Sequence, residues 1–220
     1  MNAIGTETER LAAMIRDCGS VVALTGAGIS VPSGIPDFRT PGTGLWSNVD
    51  PMEVAHIDVF HRDPERFWRF YSDRFQTLEH KRPNDAHRTL AGLEHAGLLD
   101  AVITQNIDRL HDRAGTRELV EIHGTIGHSS CLRCGSRYPL AEVRDRCSDD
   151  AVGIPRCDCG EPLKPDVVLF GELLPVAAVP CSVASSPTSA GAINGSGCIG
   201  HHCVPAARSG AVSLRTLQIA

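Results

Sequence analysis

Residues 21–40 read VVALTGAGISVPSGIPDFRT, and this stretch decides the fold. Its first five residues, Val21–Thr25, are apolar and largely β-branched, which predicts a short buried strand. A turn of Gly26, Ala27 and Gly28 follows, and residues this small let backbone N–H groups approach a phosphate closely, as in nucleotide-binding strand–turn–helix units. Because the G-x-G-x-x-G pattern is incomplete, the turn by itself supports little more than an ordinary glycine-rich connection.

The residues after the turn read GIPDFR at positions 34–39 and place a carboxylate, an aromatic ring and a guanidinium side by side. Two prolines and a glycine between positions 32 and 36 exclude a regular helix or strand, so the segment must be a loop. A loop with a purely structural role seldom needs all three groups in succession. We therefore interpret Asp37, Phe38 and Arg39 as part of a ligand-binding loop.

The composition restricts the class of protein. The chain has 220 residues and a formal net charge of −5, which argues against a general nucleic-acid binder, and no apolar run is long enough to cross a bilayer. The polar, acidic start at Met1–Glu9 does not resemble a secretion signal, so we expect a cytoplasmic protein without membrane partners. Nine cysteines, an odd number in such a chain, favour metal ligation over disulfide bonds.

Strand patterns alternate with helical patterns along the chain. Strands are expected at Val21–Thr25, Ala101–Thr104 and Leu119–Ile122, and helices are expected at Thr8–Cys18, after Asp63-Pro64 and after Pro83-Asn84. This alternation predicts an α/β fold with a Rossmann-like, doubly wound parallel sheet.

Polar residues follow two of the predicted strands. Gln105, Asn106 and Asp108 come directly after the second strand, and His123 comes after the third. Open α/β sheets bind ligands at this carboxyl edge, so these side chains are candidates for one binding cleft. As one of ten histidines, His123 would by itself be interpreted as a structural side chain.

Two close cysteine pairs, Cys131 with Cys134 and Cys157 with Cys159, flank a polar stretch that lacks the periodicity of a core. They match a four-thiolate zinc site, which supplies the folding energy that so small an insert lacks. Cys147 lies between the pairs and is a lower-ranked alternative ligand. A structural zinc ion is expected, because four thiolates leave no open position for catalysis.

These patterns predict a division of the chain. Residues 1–128 and 165–175 form the Rossmann-like domain, with a helical insert over 40–83, and residues 129–164 form a small zinc-ribbon domain. The tail from 176 to 220 contains no Asp, Glu, Lys or aromatic residue, so it is expected to be poorly ordered, with Ala211–Ile219 as the one exception.

Six motifs occur here in the order in which the sirtuin family carries them, so the chain from about Gly5 to Pro175 resembles a sirtuin. They are GAGIS at 26–30, GIPDFR at 34–39, TQNID at 104–108, HG at 123–124, the two cysteine pairs and VLFGE at 168–172. The resemblance implies an NAD-dependent protein-lysine deacylase that acts on acylated-lysine proteins and gives nicotinamide and O-acyl-ADP-ribose. It also implies a Rossmann-type domain with a smaller domain that binds one structural zinc ion.

The resemblance assigns a role to each matching residue. His123 is the implied general base, which fits an imidazole that accepts a proton near neutral pH. The implied NAD-binding residues are Gly26, Ala27, Gly28, Ser30, Asp37, Phe38, Arg39, Gln105, Asn106, Ile107 and Asp108. The implied substrate-peptide edge carries Val168, Phe170 and Gly171, and the implied zinc ligands are Cys131, Cys134, Cys157 and Cys159.

Tyr71 and Arg74 lie three residues apart, on one face of a predicted helix. The spacing resembles the Tyr-x-x-Arg signature of sirtuins that remove succinyl and malonyl groups, because a guanidinium and a phenol both bind a carboxylate. The alternatives are that Tyr71 packs in the core and that Arg74 is solvated or pairs with Asp73.

The resemblance ends after Pro175, where the family continues with a helix, a strand that ends in a Gly-Thr-Ser turn, and a later strand that meets the adenosine side. None of these is found in residues 176–220. This departure suggests the hypothesis of a shifted reading frame or a disrupted gene, and we expect weak NAD binding and little turnover. The alternative functions are mono-ADP-ribosyl transfer and a non-catalytic zinc ribbon that binds nucleic acid through Arg133, Arg137, Arg144 and Arg146.

Overall fold

The computed structural model describes residues 3–38, 40–47, 49–174 and 214–219. The helices are α1 (Ala3–Asp17), α2 (Pro51–Val54), α3 (Ile57–Arg62), α4 (Pro64–Glu79), α5 (Asp85–His95), α6 (Leu110–Ala114) and α7 (Leu140–Asp149). The strands are β1 (Ser20–Thr25), β2 (Ala101–Thr104), β3 (Leu119–Glu121), β4 (Gly124–Cys131), β5 (Arg137–Pro139), β6 (Leu163–Val167) and β7 (Leu214–Ile219). None of these helices is long and apolar enough to cross a membrane.

The larger sheet is parallel and has the strand order β3-β2-β1-β7. Val21, Ala23 and Val102 are buried in one apolar cluster together with Leu90 of α5, so the helices cover the sheet as predicted. Asp100 fixes the start of β1, because its carboxylate accepts hydrogen bonds from the Ser20 hydroxyl at 2.6 Å and from the backbone N–H of Val21 at 2.8 Å. The predicted parallel α/β sheet is therefore confirmed.

Strand β7 comes from the tail and pairs in parallel with β1 over six residues, from Ser20 beside Leu214 to Thr25 beside Ile219. It lies within Ala211–Ile219, the stretch that the sequence set apart from the rest of the tail. These six residues complete the hydrogen bonds along the β1 edge, where unpaired backbone groups would otherwise remain. Residues 175–213 lie outside the described part of the chain.

The smaller sheet is antiparallel, with the strand order β5-β4-β6. The sequence assigned 165–175 to the Rossmann-like domain, but Pro165 pairs with Ser129 and Val167 pairs with Gly124 in this sheet. The apolar run at 167–170 cannot reveal its partner strand, because strand pairing is not local information. Strand β4 also crosses the predicted boundary at 128/129 and so leads directly from His123 to the first cysteine.

The helical insert packs against the smaller sheet. Phe67 and Trp68 of α4 are almost fully buried, and the indole N–H of Trp68 donates to the carbonyl of Leu163 in β6 at 2.9 Å. Helix α4 begins where the sequence predicted, since the Asp63 side chain accepts from the N–H of Arg66 and Pro64 occupies the first turn. The insert and the smaller sheet therefore share one apolar core, which is separate from the cluster that covers the larger sheet.

Candidate active site

A buried set of polar side chains, here called the strand-end cluster, joins Ser30, Asn106 and Asp108 beyond the ends of β1 and β2. The hydroxyl of Ser30 donates to Oδ2 of Asp108 at 2.6 Å. The Asn106 side-chain amide donates to Ser30 Oγ at 3.1 Å and to the carbonyl of Gly26 at 2.9 Å. These bonds hold the glycine turn against the second strand end, as expected for the carboxyl edge of a parallel sheet.

The glycine turn opens a short 3-10 helix, Ala27–Ser33, and Gly26 precedes it in extended conformation. Ala27 and Gly28 form the first turn of this helix, where backbone N–H groups have no intrahelical partner. Asp108 fixes the opposite side, because its Oδ1 accepts from the N–H of Leu110 at 2.9 Å. Ile107 is partly buried against the core, and its carbonyl accepts from the N–H of Ile126 at 3.1 Å.

His123 is half-buried and is oriented by the second strand end. Its Nδ1 lies 2.9 Å from the backbone carbonyl of Gln105. A carbonyl can only accept, so Nδ1 carries the proton and Nε2 of the neutral ring keeps its lone pair. Gly124 follows with φ +74°, and a Cβ on this residue would lie 2.0 Å from the carbonyl oxygen of Asp166, so only glycine fits there.

Two further titratable groups flank the strand-end cluster. Burial raises the pKa of Glu121, at the end of β3, to about 7, although its hydrogen bond with Thr125 acts in the opposite direction. Burial also lowers the pKa of His111 to about 4, and the neighbouring His87 charge acts in the same direction. His111 Nε2 lies 3.0 Å from Thr25 Oγ1, and the Thr25 hydroxyl donates to Thr104 Oγ1 at 2.9 Å. The cluster therefore rests on a second layer of buried polar groups.

The predicted ligand loop closes on itself. Asp37 accepts from the backbone N–H of Thr40 at 2.8 Å, and the carbonyl of Phe38 accepts from the N–H of Trp46 at 3.0 Å. Phe38 stacks on Trp46, with ring centroids 5.6 Å apart, and Trp46 stacks in turn on Phe70 at 6.2 Å. Arg39 lies outside the described residues.

Tyr71 and Arg74 share one face of α4 beside these rings. Tyr71 is buried and stacks on Phe67 at 4.5 Å, as the core-packing alternative predicts, and burial raises the pKa of its hydroxyl. The Arg74 guanidinium lies 5.6 Å from the Phe38 ring centroid, and burial lowers its pKa. Within the described residues Arg74 forms no ion pair, so the alternative pairing with Asp73 is not found.

The predicted substrate edge follows β6. The N–H of Val168 donates to the carbonyl of His123 at 2.8 Å, which places this segment directly beside the candidate base. Phe170 is paired through its backbone with Ala55 and Ile57 on the opposite side. Gly171 has φ +86°, and a Cβ there would lie 2.7 Å from Nε2 of His56.

The four predicted cysteine ligands form a second cluster, here called the cysteine cluster. The sulfur atoms of Cys131, Cys134, Cys157 and Cys159 all lie within 4.8 Å of one another. Four sulfurs at such separations fit the tetrahedral thiolate site that zinc prefers. Cys147 does not belong to this cluster and lines a cavity between α4 and α7, so the alternative ligand set is not supported.

The sequence profile of the Sir2 family matches residues 26–191, which contain both strand ends and the cysteine cluster. The chain belongs to the Sir2 family. The matched range extends past Pro175, where the resemblance drawn from the motifs stops, and it begins later than Gly5. The parallel sheet is thus the Rossmann-like sheet of a sirtuin.

Curated relatives are found in archaea and bacteria. The NAD-dependent protein deacetylase of Sulfolobus acidocaldarius is 51% identical over 166 residues, which cover 76% of this chain and 65% of the relative. The NAD-dependent protein deacylase of Aeropyrum pernix is 50% identical over 153 residues, which cover 70% of this chain and 60% of the relative. The chain therefore spans less than two thirds of the length of these relatives.

Solved sirtuin structures share the fold. A Sir2 structure with a deacetylated peptide and 3′-O-acetyl ADP ribose gives a TM-score of 0.72 at 41% identity, and the match covers 78% of this chain and 68% of that one. Sir2Tm bound to a propionylated peptide gives a TM-score of 0.68 at 40% identity, with coverage of 78% and 67%.

The sequence missed several residues that the structure adds to the site. Thr25 and Thr104 are predicted only as strand residues and His111 receives no prediction, although a hydroxyl or imidazole in an otherwise apolar element is a signal of a buried polar network. Trp46, which stacks on Phe38 and Phe70, receives no role in the site from its sequence position. Lys164 is only 7% exposed, and lysines buried to this extent are rare unless they are paired.

Proposed function

We propose that this chain is an NAD-dependent protein-lysine deacylase. The observation that carries the proposal is the orientation of His123, whose Nδ1 is fixed on the Gln105 carbonyl next to Asn106 of the strand-end cluster. The sequence identity between this chain and NAD-dependent protein deacetylases and deacylases supports the proposal.

The division of work among the residues follows from their chemistry. NAD, when bound, supplies an electrophilic ribose carbon with nicotinamide as its leaving group. Gly26, Ala27 and Gly28 would bind the pyrophosphate through the backbone, and Asn106 and Asp108 would bind the nicotinamide amide. Nε2 of His123 would accept the proton of a ribose hydroxyl, which is the role that its tautomer leaves open.

The other assigned residues would shape and close the cleft. Asp37, Phe38 and Arg39 would cover the cofactor and exclude water, with Gln105 beside the ribose. Ser30 would support the cleft through its hydrogen bond to Asp108, and Ile107 would support it by packing against the apolar core. Val168, Phe170 and Gly171 would present the edge to which an acylated peptide adds as a strand.

The cysteine cluster would hold one structural zinc ion, in a zinc-ribbon module at about 129–164. We also propose the rest of the predicted division, in which residues 1–128 and 165–175 form the Rossmann-like domain and residues 176–220 form the tail. The pairing of Pro165 and Val167 with β4 amends this division, because it assigns these residues to the smaller sheet. The cytoplasmic location and the lack of membrane partners stay predictions of the sequence.

The test uses the full chain with NAD and an acylated lysine peptide, and it measures product masses. We expect nicotinamide, free lysine peptide and O-acyl-ADP-ribose, at a low rate and with weak NAD affinity because the tail departs from the family. His123→Ala should reduce turnover by roughly 10²–10⁴-fold, the usual contribution of a general base. The exposed His80→Ala is the matched control and should leave the rate unchanged.

Two results would contradict this proposal in different parts. A mass increase on the protein or peptide, without O-acyl-ADP-ribose, would indicate mono-ADP-ribosyl transfer in place of deacylation. Micromolar NAD affinity in isothermal titration would refute the expected weak binding and leave the deacylase assignment intact.

We further propose that succinyl and malonyl groups are preferred to acetyl. Arg74 supports this preference, because it is half-buried near Tyr71 and has no carboxylate partner among the described residues. A dicarboxylic acyl chain brings the missing carboxylate, whereas a neutral acetyl group offers nothing to either side chain.

The preference is tested with paired acetyl- and succinyl-lysine peptides. Arg74→Met should lower kcat/KM for the succinyl peptide by about 10–100-fold, because it removes a charge-assisted hydrogen bond to the succinyl carboxylate. The same substitution should leave kcat/KM for the acetyl peptide nearly unchanged. Arg69→Met, on the exposed face of the same helix, is the control. An equal effect on both peptides would remove the role of Arg74 in acyl recognition.

The zinc-ribbon alternative loses its support from the arginines. Arg133, Arg137, Arg144 and Arg146 each pair with a carboxylate of the chain, Glu161, Asp166, Glu79 and Glu142 respectively. Paired arginines present little free positive charge to a phosphate backbone, so nucleic acid binding stays outside the proposal.

A further inference from the structure

The backbone of Val167–Gly171 is held by a buried lysine. The ammonium of Lys164 donates to the carbonyls of Pro165 at 3.2 Å and Val167 at 2.9 Å. It also lies 2.9 Å from Oε2 of Glu172. An ammonium carries three N–H donors, so all the donors of Lys164 are used within this one segment.

Glu172 holds the same segment from its other end. Its Oε2 accepts from the backbone N–H of Leu169 at 2.8 Å, and its own N–H donates to the carbonyl of Leu169 at 3.1 Å. Together with Lys164, to which it is ion-paired, Glu172 therefore fixes the backbone of the residues that lie between the two side chains in sequence. No other carboxylate among the described residues pairs with Lys164.

The other backbone groups of this segment differ in whether they already have a hydrogen-bond partner. The N–H of Val168 is bonded to His123, and both backbone groups of Phe170 are bonded to Ala55 and Ile57. Within the described residues the carbonyl of Val168 and both backbone groups of Gly171 have no partner. These backbone groups are therefore available for hydrogen bonds to an added peptide strand.

Stability alone is a weak reason for a buried ion pair. Apolar residues of similar volume are often equally stabilising, because they avoid the cost of removing two charges from water. An apolar pair, however, cannot donate to two carbonyls or accept from the N–H of Leu169. What the Lys164–Glu172 pair adds is a fixed backbone shape.

We propose that Lys164 and Glu172 are positioning residues, which hold Val167–Gly171 in the shape that accepts the acylated peptide. This inference rests on the proposed function for the identity of the added strand. The ion pair itself acts on the backbone and contacts neither the peptide nor NAD.

The first test compares Glu172→Ala with Glu172→Gln in the full chain. Gln keeps an oxygen for the Leu169 N–H and for the Lys164 ammonium, whereas Ala removes both contacts. By fluorescence anisotropy of a labelled succinyl-lysine peptide, we expect Ala to raise Kd about tenfold or more and Gln about threefold or less, because only Ala removes both charge-assisted contacts of this side chain. NAD affinity should not change.

A double variant separates positioning from stability. Lys164→Met with Glu172→Leu leaves no unpaired charge, so its Tm should stay close to that of the unchanged chain, while its peptide affinity should fall as in Glu172→Ala. Glu161→Ala, which removes an exposed ion pair with Arg133, is the matched control and should alter neither quantity. Full peptide affinity in the double variant would overturn the proposal.

Amide hydrogen exchange tests the clamp without any ligand. The N–H of Leu169 should exchange faster in Glu172→Ala than in Glu172→Gln, and unchanged exchange would overturn the inference. If the unchanged chain binds no acylated peptide, the proposed function fails, and the exchange rates then decide the backbone clamp separately.

Discussion

The cysteine cluster and the strand-end cluster bring polar side chains together in different ways. The cysteine cluster takes its members from a stretch in which Cys131 and Cys159 are 28 positions apart, and its four sulfurs face one another. The strand-end cluster joins Ser30 to Asp108, which are 78 positions apart, and its donors and acceptors are matched by hydrogen bonds. The first arrangement needs an ion, whereas the second is complete without one.

This difference indicates which interactions stabilise each of the two regions. The strand-end cluster lies at the end of a buried parallel sheet, whose apolar side chains already provide a core. The cysteine cluster lies at the end of β4 and on the loops around Cys134 and Cys157, and four thiols at such distances contribute little unless they are deprotonated and bound to a metal. We therefore expect metal removal to affect the two regions unequally.

The largest expected effect is the loss of a zinc ligand. Cys131→Ala should abolish stoichiometric zinc and lower Tm by roughly 10 °C or more, because structural zinc supplies a large apparent free energy and each 1 kcal/mol shifts Tm by about 2–4 °C at this chain length. Zinc content by mass spectrometry and thermal unfolding measure this. Cys147→Ala is the control and should retain zinc. Loss of zinc in that control would restore Cys147 as a ligand.

The next effect concerns the layer beneath the strand-end cluster. His111 has a folded-state pKa of about 4, below its ordinary value of 6.5, so the folded state binds fewer protons than the unfolded state between these values. Stability should therefore fall as the pH decreases from about 6.5 to about 4, by a total of about 3 kcal/mol for this group. Urea unfolding across this range measures the slope.

His111→Gln sharpens the pH experiment. Gln places an amide N–H near the position of Nε2, so it can still donate to Thr25 but cannot be protonated. We expect this variant to have a flatter pH dependence than the unchanged chain, with His87 as the remaining buried imidazole. An identical slope in both proteins would show that His111 does not carry the acid sensitivity.

The smallest expected effect tests how complete the strand-end cluster is. Ser30→Ala removes the donor to Asp108 and the acceptor of Asn106, and buried groups that lose a partner cost about 1–3 kcal/mol. Urea unfolding should show this loss, with zinc content unchanged. Ser148→Ala, at an exposed position on α7, should stay within about 0.5 kcal/mol of the unchanged chain. Equal stabilities would mean that the cluster does not support the cleft.

The sequence predicted well which candidate residues lie close together where the motifs were carried by adjacent positions. The residues at 26–30, 105–108 and 123 were assigned to one edge of a parallel sheet, and the structure brings Ser30, Asn106 and Asp108 into contact there. The sequence predicted less about which strands pair with each other. Leu163–Val167 pairs antiparallel with β4, and Leu214–Ile219 pairs in parallel with β1. The residues of each strand do not reveal these partners, because strand pairing depends on contacts that are distant in the sequence.

By itself the sequence determined the alternation of strands and helices, the cysteine pairs and the family, because periodicity, turn residues and motif order are local properties. Only the tertiary structure decided that the Gln105 carbonyl orients His123, that Thr25 links His111 to Thr104, and that Lys164 meets Glu172. These contacts depend on strand register and on how a buried polar group finds a partner, and neither is encoded in the residues nearby.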